Sequence, residues 1–167
     1  MGTVVKLDLE LDLGGVEKKI NRVANDETTM ICMQNLIAKM CNPYVPMREG
    51  VLSQSEVIES LPLDQPFENK YISISSDCVH YIQPYAHYMY TGDVYGPNIP
   101  IIENGIITGW WSPKGEKKKT TGKPLQYNTE KHSKATKKWL EVMVANDGDR
   151  LCRQVENILK RRIDEVD

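Results

Sequence analysis

A chain of 167 residues, 40% hydrophobic and 26% charged, has the size and composition of one ordinary soluble globular domain able to bury a core without disulfides or metal staples. These figures exclude a disordered or fibrous chain. A formal net charge of -2 gives no field that would demand nucleic acid or an anionic membrane as an obligate partner.

The first periodic stretch is Val5, Leu7, Leu9, Leu11 and Leu13 alternating with Lys6, Asp8, Glu10 and Asp12, the pattern of a strand with one wet face. Gly14-Gly15 ends it. Val16, Ile20, Val23, Met30, Leu36, Ile37, Met40 and Cys41 then follow helical spacings, which predicts a long amphipathic helix from about Val16 to Cys41. Asn25-Asp26 and Thr28-Thr29 are poor helix formers and leave a break near its middle open. Asn42-Pro43 stops the helix, because proline restricts the residue before it and has no N–H to donate.

From Lys70 to Ile82 a run rich in β-branched and aromatic residues surrounds Ser75-Ser76-Asp77, which predicts an antiparallel hairpin turning near Ser76-Asp77. Residues 91–128 hold six of the 11 glycines and four of the 9 prolines and show no sustained period, so a long, mobile, exposed loop is expected there. From Ser133 onward Ala135, Trp139, Leu140, Met143 and Val144 recur at helical spacing, then Leu151, Val155, Ile158 and Leu159 after Asn146-Asp147-Gly148-Asp149. This predicts two C-terminal helices around a tight turn. Strand, helix, hairpin, loop and helices in that order make a single α+β domain over 1–167.

The chemistry-bearing residues are sparse. Cys32, Cys41, Cys78 and Cys152 are widely spaced with no Cys-x-x-Cys pair and no apolar leader before them, which fits free thiols in an unsecreted protein. Nor does any run approach the roughly 20 apolar residues of a membrane span. Cys78 with His80, His87 and His132 offers imidazole and thiolate, but no further ligands at closed-site spacing, so no metal or other cofactor is expected. Ser53 and Ser55 lack a nucleophile elbow, and no convergent set of titratable residues marks the chain as an enzyme. Asp8, Glu10 and Asp12 read as the solvated face of a strand.

Two features point to partners instead. Lys114, Lys117, Lys118, Lys119 and Lys123 crowd one segment against the single acid Glu116, which suits either non-specific phosphate contact or a solvated loop that orders against a neighbouring subunit. Beside them, Trp110-Trp111 in a glycine-rich loop is difficult to bury within a small monomer and suits an assembly contact, with a core role as the alternative. The tyrosines Tyr81, Tyr85, Tyr88, Tyr90 and Tyr95 lack the interleaved basic residues of a single-strand platform and fit packing against the long helix better. Lys160-Arg161-Arg162 is balanced by Asp164, Glu165 and Asp167.

Three motifs, in order, carry a family resemblance covering roughly Leu36 to Leu159. The stretch Pro43 to Ser55 contains Tyr44, Pro46, Gly50, Leu52 and Ser55; Tyr81 to Gly92 contains Pro84, Tyr85, Ala86, Tyr90 and Gly92; and His132 to Glu141 contains Ala135, Thr136 and Trp139. This series resembles the minor capsid, or neck, proteins of long-tailed bacteriophages. Glu49 stands where many relatives have threonine, and Leu140 replaces the usual aromatic. The resemblance implies a non-enzymatic ring subunit that joins the portal-capped capsid to the tail, or completes the top of the tail. Its expected partners are further copies of itself and neighbouring neck, portal or tail-tube proteins, with non-specific contact to packaged DNA and no membrane. Its expected place is the host cytoplasm during assembly, then the virion. The rival expectation is a nucleic-acid-binding module using the lysine-rich segment and the basic end of the last helix.

Overall fold

The structure, a computed structural model, describes residues 17–46 and 55–166. The expected strand at Val5–Leu13, its acidic stripe, the motif positions Gly50 and Leu52, and Ser53 lie outside the described residues.

Two helices occupy the region of the first predicted one: α1, Glu17–Ala24, and α2, Glu27–Cys41. The break falls at Asn25-Asp26, where the Asp26 carboxylate accepts from Thr29 N at 3.2 Å and caps the second helix. A 3-10 turn over Asn42–Tyr44 follows α2 where Pro43 forbids continuation. After α3, Ser55–Ser60, come β1, Phe67–Glu68, β2, Ile72–Ile74, and β3, Val79–Tyr81. They form an antiparallel sheet in that order, and β2 and β3 are the expected hairpin. Its turn is held by Ser75 Oγ, which accepts from Asp77 N and Cys78 N.

The short helix α4, Ala86–Thr91, ends on Gly92 at φ +81°, a left-handed cap. The next segment differs from the expected loop. Residues 91–128 contain four strands: β4, Asp93–Gly96, β5, Ile99–Glu103, β6, Ile106–Trp111, and β7, Lys119–Pro124. β5 pairs with β6, and β4 with β7, both antiparallel. The strands escape a period-two reading because β5 and β6 are apolar on both faces and β7 is polar throughout.

The C-terminal region also differs from expectation. Trp139–Val166 is one 28-residue helix, α5, running unbroken through Asn146-Asp147-Gly148-Asp149. Met143 and Leu151 on either side are both fully buried, so one apolar stripe crosses the polar stretch. Continuous burial outweighs the roughly 1 kcal/mol that a mid-helix glycine costs.

The fold is therefore mixed α+β, with α2 and α5 packed together at its centre. Cys32, Leu36, Met40, Tyr44 and Val45 meet Trp139, Met143, Leu151, Val155 and Leu159 in the main core. Ala38, Ile58, Leu61, Ile72 and Ile74 form a second cluster that seats the three-stranded sheet on α2. No described helix is long and apolar enough to cross a membrane.

Candidate assembly interface

From Asp93 to Pro124 the chain leaves this body and returns as a β-arm. Its root is the β4–β7 ladder and its tip the β5–β6 hairpin, whose strands pack chiefly on one another. The tip turns at Asn104-Gly105, both with positive φ, +52° and +80°. That is the geometry an Asn-Gly hairpin turn adopts. The waist is fastened by Asn98. It donates to Tyr95 O at 2.7 Å and accepts from Lys118 Nζ at 3.1 Å, while Ser112 Oγ donates to Pro97 O at 3.0 Å.

Residues opposite one another in an antiparallel pair share a face. Ile99 faces Trp111 and Ile101 faces Gly109 on one side; Pro100 faces Trp110 and Ile102 faces Ile107 on the other, with a bulge between the second and fourth of these pairs. Both faces of the ribbon are thus apolar. They are also exposed: Trp110 at 63% and Trp111 at 52%, with Ile99, Ile101, Ile102, Ile106 and Ile107 similarly open. The tryptophans are surface residues, and the alternative core role does not hold.

The edges of the ribbon are built differently. Pro100 has no N–H to offer a further strand, the bulge distorts β6, and β7 carries lysines and its own register shift. Such devices discourage edge pairing. The arm presents faces rather than edges.

The motif residues converge on the mount of this arm. Trp139, 4% exposed, meets the ring of Tyr90 edge-on at 4.6 Å and that of Tyr81 at 5.5 Å. Tyr90 also donates to the Glu141 carboxylate; burial, then that bond, raises its phenol well above the ordinary range. Thr136 N donates to Tyr44 O at 3.0 Å and Lys138 N to Tyr90 O at 2.9 Å. Gly92 is buried against Lys137: a Cβ there would meet Lys137 Cδ at 2.6 Å. The returning chain closes the mount, because Leu125 N donates to Gly92 O at 2.8 Å and Tyr127 Oη to Met89 O at 2.7 Å.

Tyr44 ties this mount to the helices. Fully buried, it donates to Asp147 at 2.6 Å and accepts from Lys134 at 3.1 Å, and the bond from Tyr44 holds the Asp147 carboxyl below its ordinary range. Pro46 and Ala86 are also buried, Ala135 and Thr136 half-buried, Pro84 and Tyr85 exposed, and Ser55 opens α3. Of the tyrosines expected to pack against the first long helix, Tyr81 does join the cluster on α2, but Tyr81 and Tyr90 also meet Trp139 at the start of α5, Tyr88 packs on Tyr95, and Tyr85 is exposed.

No family model matches the chain, and no curated protein or solved structure matches it. The resemblance to phage neck proteins thus rests on the motif residues themselves.

The other candidates are scattered. Lys114, Lys117, Lys118, Lys119 and Lys123 are all exposed, on the return segment and β7 and not on the apolar tip. At the end of α5, Arg162 pairs with Asp26 at 2.8 Å and Glu165 at 2.7 Å, and Arg161 lies 3.8 Å from Glu165. His80, His87 and Cys78 are exposed, whereas His132 is buried and donates from Nδ1 to Val45 O at 2.7 Å. Among the described residues no group of three or more His, Cys, Asp or Glu side chains is arranged to hold a metal. The residues that sequence reasoning missed are the five tip isoleucines. Their signal was Asn104-Gly105 between two β-branched runs, a strong short-range hairpin pattern.

Proposed function

We propose that the chain is a structural subunit of the neck of a long-tailed bacteriophage, joining the capsid portal to the tail or completing the tail's top end as part of a ring, with no catalytic role. The observation that carries this reading is the arm: a hairpin apolar on both faces and exposed on both. A monomer gains nothing from such an element, and contiguous exposed apolar surface of several hundred Å² marks interaction sites. Two apolar faces call for cover from two sides, as when an arm is inserted into an assembly. The three motifs support the same reading, because their residues build the mount from which the arm projects.

The test is electron microscopy of lysates from a phage or induced prophage lacking this gene. Filled heads accumulating beside free tails are the expected result. Normal, infectious particles would overturn it, and a steeply salt-dependent affinity of the protein for DNA would then favour the nucleic-acid-binding reading.

A further inference from the structure

We propose that the arm tip of one copy seats on the apolar patch formed by Ile82, Tyr85 and Tyr88 of a second copy. This rests on reading the arm as an assembly element and adds what receives it.

Among the described residues the exposed large apolar side chains fall into only two groups. Seven lie on the β5–β6 tip; the other three are Ile82, Tyr85 and Tyr88. These three recur at three-residue spacing from the end of β3 into α4, which places Tyr85 and Tyr88 on one face. Tyr88 is braced by Tyr95 of β4, ring centroids 4.7 Å apart, so the patch sits beside the root of the arm.

That position prevents the arm from covering its own patch. β4 and β5 together, Asp93–Glu103, carry the tip up to about 35 Å away from the root at roughly 3.3 Å per residue. The hairpin does not fold back, since β5 and β6 pack chiefly on one another. The same length is about the diameter of a domain of this size, so the tip reaches the equivalent root of an adjacent copy. Tip on patch is a head-to-tail contact between unlike surfaces, the kind that closes rings when repeated by rotation.

The test is sedimentation velocity on the full-length protein over a concentration series, with two variants. Trp110→Ala with Trp111→Ala disables the tip, and Tyr85→Ser with Tyr88→Ser disables the patch. The wild type is expected to associate and each variant to sediment as the 19.1 kDa chain. An equal mixture of the two variants is expected to give a species of twice that mass and nothing larger, because each mixed pair has one sound tip and one sound patch. Ile102→Asp and Tyr85→Lys, as second tip and patch variants, must repeat the pattern should either double variant fail to fold.

A wild type monomeric at every concentration, a patch variant that associates like the wild type, or a mixture that stays monomeric would each overturn the proposal. Joined particles formed with the patch variant but not with the tryptophan variant would overturn it while leaving the neck reading intact. A gene deletion without effect on joining would instead remove the neck reading itself.

Discussion

The three tryptophans divide into two classes that one experiment separates. Trp139 is 4% exposed and touches Tyr81 and Tyr90, so truncating it to alanine removes a buried ring and leaves a cavity, a loss of about 3–5 kcal/mol. Domains of this kind are stable by only about 5–15 kcal/mol in total. Trp110 and Trp111 are more than half exposed, and in the free protein each has mainly its cross-strand neighbour, Pro100 or Ile99, worth roughly 0.2–1 kcal/mol. Replacing both should therefore cost the monomer under about 2 kcal/mol. Urea unfolding of the isolated protein reads the difference: with a slope of about 2 kcal/mol/M, Trp139→Ala moves the midpoint down by about 2 M, and the double variant by less than about 1 M. Association should respond in the opposite order. A desolvated tryptophan anchor contributes about 2 kcal/mol or more, so each arm ring is worth at least roughly 30-fold in affinity. A double variant as destabilised as Trp139→Ala would refute the reasoning, because it would mean that the arm rings are already buried in the monomer.

Gly148 lies mid-helix, where an added Cβ would meet only Val144 Cγ1 at 3.8 Å, so Gly148→Ala should stabilise by about 1 kcal/mol and raise Tm by roughly 2–4 °C in calorimetry. Hydrogen bonds from Arg162 and Tyr44 hold Asp26 and Asp147, respectively, below their ordinary 3.8. A folded value below the unfolded one means that the native state binds fewer protons, so this stabilisation is present above pH 3.8 and fades as pH falls below it; Asp26→Asn with Asp147→Asn should show a shallower acid limb in a pH series of melts. Burial pushes the Cys41 thiol up to about 12, while Cys78 is exposed. Alkylation followed by peptide mass mapping should thus modify Cys78 in the native protein and Cys41 only after denaturant is added.

How legible the fold was in the sequence depended on how much each element relied on a single periodic face. The β2–β3 hairpin was readable because Ile72 and Ile74 alternate with polar residues around a serine turn, and α2 because its apolar positions share a stripe. The break at Asn25-Asp26 was visible in propensity alone. The single helix α5 was hidden by Asn146 to Asp149, since local preference says turn while Met143 and Leu151, one stripe apart, hold the helix through it; the hydrogen bond from Tyr44 to Asp147 is long-range and leaves no local trace. The arm was hidden for another reason. Alternation reports one wet face and one dry face, and a ribbon whose faces are both apolar has neither. Trp110 and Trp111 still drew attention through their residue type, but the five isoleucines that complete the surface did not.

The division between mount and tip has a consequence of its own. Most of the described residues that carry the family resemblance, among them Tyr44, Tyr90, Gly92, Thr136 and Trp139, lie in the mount or in the contacts fastening it to α5, while none of the seven exposed tip residues belongs to a motif. The mount sets where the arm leaves the body, and the tip sets what the arm recognises. A substitution in the mount, such as Gly92→Ala with its Cβ pressed into Lys137 at a left-handed φ, should lower stability and assembly together. A substitution in the tip should lower assembly alone. Measuring both quantities on one variant of each kind separates positioning from recognition, and an arm tip that could be altered without loss of assembly would leave the hairpin's two apolar faces without a physical reason.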